Sequence, residues 1–287
     1  MSPTGGTMTR VSAIVALGGF LMGFDASVIS GVVGYIEVEF QLGKLALGWA
    51  VASLTLTASL AMLIAGPLSD RWGRRPVLKL AAALFAVSAV GSALAPDFLT
   101  LVIARMVGGL GVGAALIVAP MFIAEIAPAA VRGRLVSFNQ LNIVIGISAA
   151  FFSNYFILQL GASDAAWAQW LHLNQWQWRW MLGVEALPAV AYFLGLLMVP
   201  ESPRWLALRG REAQAREMLE RVAGSAGAPA QWQELQEGLT PEGENAGGWQ
   251  ALFARSMRLA LTIGVVIAVL QQASGIKAVF FYAPMIF

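Results

Sequence analysis

Seven long apolar runs, separated by short polar segments, set the pattern of this chain. They fall at about residues 11–33, 46–68, 77–95, 98–124, 136–159, 180–199 and 259–287. The runs are continuously apolar, whereas the strands of a membrane barrel would alternate apolar and polar positions. A helix needs about 20 apolar residues to cross the hydrocarbon core of a bilayer. The pattern therefore predicts an all-α membrane protein with six complete transmembrane helices and an incomplete seventh.

Basic residues are divided unevenly among the polar segments. With the N-terminus inside, fourteen Lys and Arg residues fall in cytoplasmic segments, and the outer segments hold only Lys44 and Arg179. Because cytoplasmic loops carry the excess of Lys and Arg, we expect a multi-pass protein of the cell inner (cytoplasmic) membrane with a cytoplasmic N-terminus. Tryptophans are expected to mark the outer interface, at positions 167, 170, 176, 178 and 180.

The same pattern predicts four segments. These are a cytoplasmic N-terminus (1–10), a six-helix transmembrane domain (11–199), a cytoplasmic helical linker (200–258) and a seventh transmembrane helix that begins a truncated C-terminal domain (259–287). Within the linker, we expect a surface helix over 206–223, a flexible break over 224–230 and a short helix over 231–238. A solvated linker without a packed face is the alternative.

Composition narrows the function classes. Hydrophobic residues make up 58% of the 287-residue chain and charged residues only 12%, against about 25% charged residues in soluble domains. The absence of Cys and the presence of one His argue against a metal site, a cofactor and a catalytic triad. A net charge of +2 gives no reason to expect nucleic acid as a partner. A soluble enzyme is therefore not expected.

A charged loop between the second and third apolar runs has a distinctive order, Gly66-Pro67-Leu68-Ser69-Asp70-Arg71-Trp72-Gly73-Arg74-Arg75. This order resembles the G-x-L-x-D-R-x-G-R-R signature of the major facilitator superfamily. Further motifs resemble those of its sugar porter family, namely R-x-x-x-G-x-G-x-G from Arg105, P-x-Y-x-x-E-x-x-P from Pro120, P-E-S-P-R-x-L from Pro200 and Q-Q-x-x-G from Gln271. Bacterial proton-coupled sugar symporters are the most similar members.

One glycine-rich motif matches a dinucleotide-binding pattern, but its surroundings do not favour that interpretation. Gly109-Leu110-Gly111-Val112-Gly113-Ala114 fits G-x-G-x-x-A, but it lies within an apolar run and no strand precedes it. Gly109 and Gly113 instead form a small face suited to close helix packing. No nucleotide cofactor is expected.

The resemblance implies proton-coupled symport of a sugar or sugar-like solute by alternating access. The expected partners are the substrate, a proton and the lipid bilayer. Major facilitator proteins have two halves of six helices, so the chain is expected to lack a C-terminal half that transport needs. The alternative is a non-transporting product of a truncated or frameshifted gene, or a membrane sensor. An enzyme is not expected, since no nucleophile and base are apparent.

Asp25 interrupts the first apolar run, and Arg105 lies in the fourth. An ionisable residue inside a membrane is costly and is a functional candidate for that reason. The proton affinity of a carboxyl depends on nearby charge and burial, so a change in the Asp25–Arg105 distance would load or release a proton. The resemblance implies a coupling role for Asp25, Arg105 and Glu185. A structural ion pair without a proton role is the alternative.

Charged residues at the cytoplasmic helix ends form a second set. The resemblance implies that they lock the outward-facing state as a cytoplasmic gate, with members Asp70, Arg71, Arg74, Glu125, Arg132, Glu201 and Arg204. Ordinary surface salt bridges, worth about 0–1 kcal/mol each, are the alternative.

Substrate contacts are expected in the seventh run, from Gln271, Gln272, Lys277 and Tyr282. The sequence departs from the sugar porter pattern at Lys277, where an Asn is expected, and at Ile147, where a Gln is expected. An amide both donates and accepts hydrogen bonds, Lys only donates, and Ile does neither. Lys277 therefore favours an anionic substrate such as a sugar acid, unless its side chain extends to the outer interface.

Overall fold

The computed structural model describes residues 3–163, 166–238 and 257–275. Within these ranges every regular element is an α-helix, which confirms the predicted all-helical class. In chain order the helices are α1 (Pro3–Glu39), α2 (Lys44–Trp72), α3 (Arg74–Ala93), α4 (Phe98–Ile126), α5 (Ala129–Gly161), α6 (Ala166–Trp170), α7 (Gln177–Gly183), α8 (Ala186–Leu197), α9 (Pro203–Leu208), α10 (Glu212–Glu237) and α11 (Arg258–Ala273).

The six predicted spans are present. In the described residues, six helical stretches are long and apolar enough to cross a membrane: Gly6–Glu39, Lys44–Trp72, Arg74–Ala93, Phe98–Ile126, Ala129–Gly161 and Gln177–Leu197. Most extend past the apolar runs, because a helix does not end where its side chains become polar. The described part of the seventh run contains the shorter apolar helix Leu261–Gln271, and residues 276–287 lie outside the described residues.

The chain divides into two compact units, Met1–Trp232 and Gln233–Phe287. In the first unit, α1 packs along α5, α4 packs along α2 and α3, and α8 packs on α3. One continuous apolar core runs through this bundle. Helix α11 belongs to the second unit and is described by itself. The predicted boundaries at residues 199 and 258 stay predictions.

Close helix contacts depend on glycine. A Cβ on Gly23 of α1 would clash with the carbonyl of Ile143 on α5, and a Cβ on Gly146 would clash with that of Phe20. Gly113 of α4 contacts α2 in the same manner, where its Cβ would meet the carbonyl of Ala58. The backbones therefore touch directly, as small residues permit in membrane helix pairs.

The sixth span is broken between α7 and α8. Pro188 has no N–H and cannot donate to the carbonyl of Val184, four residues earlier. That carbonyl accepts from the N–H of Leu187 instead, and Val184 and Glu185 form a turn. The turn coincides with the buried position of Glu185 inside the bundle.

The linker differs from its prediction in two places. The helix expected over 206–223 is interrupted after α9, because Gly210 adopts a positive φ of 70°. The break expected over 224–230 is confined to Gly224, which is non-helical (φ 77°, ψ 166°) and kinks α10 into two helices, whereas residues 225–230 are helical. Met218 and Val222 are buried in the apolar core of the bundle, which excludes the solvated alternative for this part of the linker.

Candidate functional site

Three ionisable side chains meet inside the bundle, and we call them the buried cluster: Asp25 on α1, Arg105 on α4 and Glu185 in the turn between α7 and α8. Each is between 1% and 3% exposed. Arg105 Nη1 donates to Asp25 Oδ1 at 3.2 Å, and Nη2 contacts the backbone carbonyl of Asp25 at 3.4 Å. Glu185 is close enough to interact electrostatically with both.

The buried cluster has unused hydrogen-bonding capacity. Asp25 Oδ2, Arg105 Nε and Glu185 Oε1 have no hydrogen-bond partner among the described residues. Gly108 leaves room for the carboxylate, since a Cβ there would lie 3.1 Å from Asp25 Oδ2. One carboxyl group therefore pairs with the guanidinium and a second lies within electrostatic range of both in an apolar interior, an arrangement that can take up a proton.

A second cluster, which we call the loop cluster, lies where α2 and α4 end and α3 begins. Its centre is the buried Arg74, whose Nε and Nη2 donate to the two carboxylate oxygens of Glu125 at 3.1 and 2.9 Å. The same Nη2 lies 2.9 Å from Asp70 Oδ1, and Nη1 donates to the carbonyl of Ser69 at 3.2 Å. The bidentate contact between Arg74 and Glu125 joins the start of α3 to the end of α4 with fixed geometry.

Glu201 joins the segment after α8 to the start of α3. Its Oε1 accepts hydrogen bonds from the backbone N–H groups of Arg74 (3.0 Å), Arg75 (3.2 Å) and Ser202 (2.8 Å). The first N–H groups of a helix lack partners within the helix, and the residue before α3, Gly73, has no side chain to cap them. Burial raises the pKa of Glu201 above its ordinary value, while these hydrogen bonds and the Arg74 charge oppose the rise.

The structure brings together four of the seven predicted gate residues: Asp70, Arg74, Glu125 and Glu201. Arg71 contributes to these contacts through its backbone carbonyl, which accepts a hydrogen bond from Arg209 Nη2. Arg132 Nε contacts the carbonyl of Ala127 at 3.4 Å. The exposed side chain of Arg204 makes none of the loop-cluster contacts.

The model of the family described as sugar (and other) transporter matches residues 11–287. The chain belongs to this family, within the major facilitator superfamily. The chain is 39% identical over 282 residues to the arabinose-proton symporter of Bacillus subtilis, covering 98% of this chain and 59% of that protein. It is 38% identical to the D-xylose-proton symporter of Escherichia coli K12, covering 96% and 60%. The chain thus spans about three fifths of these curated relatives.

Solved structures show the same fold. The xylose transporter XylE of E. coli in a partially occluded inward-open conformation has a TM-score of 0.82 and 36% identity, over 98% of this chain and 65% of that one. XylE bound to 6-bromo-6-deoxy-D-glucose has a TM-score of 0.81 and 35% identity, over 99% and 63%. The predicted resemblance to bacterial sugar symporters is confirmed.

Two of the four predicted substrate residues lie within the residues that the structure describes. Gln271 and Gln272 lie near the end of α11 in the second unit. Lys277 and Tyr282 lie outside the described residues. Their proposed contacts therefore stay predictions.

Four loop-cluster residues were missed by the sequence reasoning. Ser202 Oγ donates to Glu125 Oε2 at 2.5 Å, and Arg75 caps α8 by donating to the carbonyls of Leu196 and Leu197. Trp205 Nε1 and Arg209 Nη2 contact the carbonyl of Asp70 at the end of α2. Only Ser202 had a local signal, because Ser followed by Pro is typical of a helix start.

The opposite end of the bundle holds another missed contact set. Trp178 is 2% exposed, and its Nε1 donates to Glu39 Oε2 at 2.5 Å; its predicted place at the outer interface stays a prediction. Arg179 Nη2 forms an ion pair with Glu39 Oε1 at 3.0 Å, and Nη1 donates to the carbonyls of Ala93 and Ala95. This set joins α7 to the ends of α1 and α3.

Proposed function

We propose that this chain acts in proton-coupled symport of a sugar or sugar-like solute by alternating access. The observation that carries the proposal is the buried cluster, in which Asp25, Arg105 and Glu185 lie together inside an apolar bundle. With both carboxyls ionised, the cluster has a net charge of −1 in surroundings that disfavour an unpaired charge. One bound proton makes it neutral.

Proton binding and the ion pair are physically coupled. Widening the Asp25–Arg105 distance removes the positive charge that stabilises the Asp25 carboxylate, and narrowing it restores that charge. A motion of α1 against α4 therefore changes the proton occupancy of the cluster. Relatives named as arabinose-proton and D-xylose-proton symporters support the same assignment.

The loop cluster is the proposed cytoplasmic gate. Arg74, Glu125 and Glu201 connect the start of α3 and the end of α4 with the segment after α8, so these elements can part only by breaking charged contacts. We propose that they stabilise the outward-facing state, in a protein of the bacterial inner membrane with its N-terminus in the cytoplasm. The concentration of Arg at this end supports that orientation.

The proposed substrate site includes Gln271 and Gln272, with Lys277 and Tyr282 following in the sequence. The glutamine amides can pair with sugar hydroxyls in both directions. Lys277 favours a carboxylate on the substrate. A sugar acid is therefore the proposed substrate class. Neutral sugars are the alternative class, and the uptake test includes both.

Uptake into proteoliposomes tests the proposal, with the protein expressed from its full reading frame. Arabinose, xylose, galactose and their sugar acids are offered with and without an inward proton gradient. Uphill accumulation is expected only with the gradient, and Asp25→Asn should abolish it while preserving counterflow. Asp97→Asn, at the exposed start of α4, is the matched control and should accumulate normally. Absence of uptake and counterflow for the whole panel would favour the non-transporting alternative.

A further inference from the structure

A cavity of about 340 Å³ lies in the first unit where the start of α1, the segment after α8 and α10 meet. Two arginines line it, Arg10 from α1 and Arg221 from α10. Val11, Met198 and Met218 supply an apolar part of the wall. The volume falls within the range of about 300–1,000 Å³ that is typical of small-molecule sites.

Few protein groups balance the positive charge of the Arg10 guanidinium or accept its hydrogen bonds. Its Nη2 contacts the thioether sulfur of Met198 at 3.4 Å, and sulfur is a weak acceptor. Among the described residues, no carboxylate lies within ion-pair distance of Arg10. A guanidinium carries five N–H donors, so most of those of Arg10 are open to a ligand or to solvent.

The positive charge of Arg221 is balanced by an ion pair that lies on the protein surface. It pairs with Glu217, one turn earlier on α10, at 2.6 Å, and both side chains are more than half exposed. An exposed pair of this kind contributes little and exchanges readily with solvent. With Glu217 counted, the two arginines leave the cavity with one net positive charge.

The cavity lies at the boundary between apolar and polar parts of the chain. Arg10 directly precedes the first apolar run, and Met198 is near the end of the sixth span. Ile14, one turn further along α1, also lines the cavity. A ligand that fits must therefore be anionic at one end and apolar at the other.

We propose that this cavity binds an anionic phospholipid, with its phosphodiester held by Arg10 and Arg221 and the start of its acyl chains against Ile14 and Met198. Guanidinium groups bind phosphate oxygens through paired hydrogen bonds. Basic pockets beside membrane helices are suited to such headgroups. The proposal requires only that the bundle is embedded in a bilayer, and it does not depend on transport.

Native mass spectrometry of the full-length protein, released from detergent after addition of phosphatidylglycerol or phosphatidylcholine, tests the site. We expect wild type to retain phosphatidylglycerol in preference to phosphatidylcholine. Arg10→Gln/Arg221→Gln should weaken retention on the order of thirtyfold, because each basic residue near an anionic lipid contributes about a factor of five. Arg134→Gln, an exposed arginine on α5 at the same end of the bundle, is the matched control and should bind as wild type does.

Other results overturn the proposal. Equal loss in the double variant and in Arg134→Gln would show a general charge effect, and equal retention of the two lipids would show apolar binding only. Displacement of the lipid by inorganic phosphate would assign the cavity to a free anion. Where the double variant fails to fold, Arg10→Lys/Arg221→Lys replaces it; retention between that of wild type and none supports the site, and unchanged retention contradicts the paired contact.

Discussion

Arg105 on α4 donates a hydrogen bond to the carboxylate of Asp25 on α1 across 3.2 Å, and both side chains are almost completely buried. Removing one partner from such a pair leaves an uncompensated charge in the bundle, which costs about 3–5 kcal/mol. We therefore expect Arg105→Met to lower the free energy of unfolding strongly. Asp25→Asn/Arg105→Met should recover part of the loss, because it removes both charges of the pair and leaves Glu185 as the one ionisable group of the cluster.

A double-mutant cycle of unfolding in detergent checks this prediction, with the two single variants and the double variant measured at one pH. Additive effects of the two substitutions would contradict the ion pair as a stabilising contact. Arg134→Met, at an exposed position on α5, is the control for the loss of an arginine.

Gly73, between α2 and α3, has a φ of 106°, and a Cβ at this position would clash with Glu201 Oε2. Gly73→Ala should therefore destabilise the protein by about 1–3 kcal/mol from backbone strain alone, and it should displace Glu201 from the start of α3. Gly48→Ala in α2 is the matched control, because nothing lies within 4 Å of its added Cβ. It should be neutral or stabilising by about 0.5–1 kcal/mol. Thermal unfolding of both variants distinguishes them, and equal effects would count against the role of Gly73.

Glu201 gives the stability of the protein a pH dependence of defined sign. Burial raises its pKa above the ordinary value of 4.5, so the folded chain holds this proton more tightly than the unfolded chain. The free energy of unfolding attributable to Glu201 therefore falls as pH rises from 4.5 through the raised pKa. Glu201→Gln should remove this slope, which unfolding measured at a series of pH values would show.

Asp97 is the control for that slope, because its shift has the opposite sign. Hydrogen bonds from the backbone N–H and hydroxyl of Thr100 lower the pKa of Asp97 below 3.8. Its contribution is present above 3.8 and is lost as pH falls through the lowered pKa. Asp97→Asn should therefore leave the slope above pH 4.5 unchanged. A slope in that range that survives Glu201→Gln would assign it to another group.

Lys277 stands where the sugar porter pattern has Asn, and it is the proposed reason for an acidic substrate. Lys277→Asn should weaken competition by sugar acids and strengthen competition by neutral sugars, because an amide both donates and accepts hydrogen bonds without a charge. Inhibition of labelled substrate uptake by each class measures the change. If only neutral sugars compete in wild type, the proposed anionic substrate is wrong.

The sequence predicted the six spans well because insertion into a bilayer depends on local apolar length. The break in the sixth span was also encoded locally, by Pro188. The kink at Gly224 falls at the start of the expected break, but the helix over 225–230 was missed, since Gly and Pro in 224–230 are typical of a break over the whole segment. The capping of α3 by Glu201 had no local signal, because its partners lie 126 and 127 residues away.

Apolar run length, charge distribution and motif order in the sequence alone determined the class of this protein, its helices and its family. The tertiary structure decided which charges meet. Asp25 pairs with Arg105 across 80 residues of chain, and Arg74 rather than Arg71 turns toward Glu125. Pairing of this kind depends on how each helix is rotated and how closely the glycine contacts let two backbones approach, and these are properties of the packed bundle that no single segment contains.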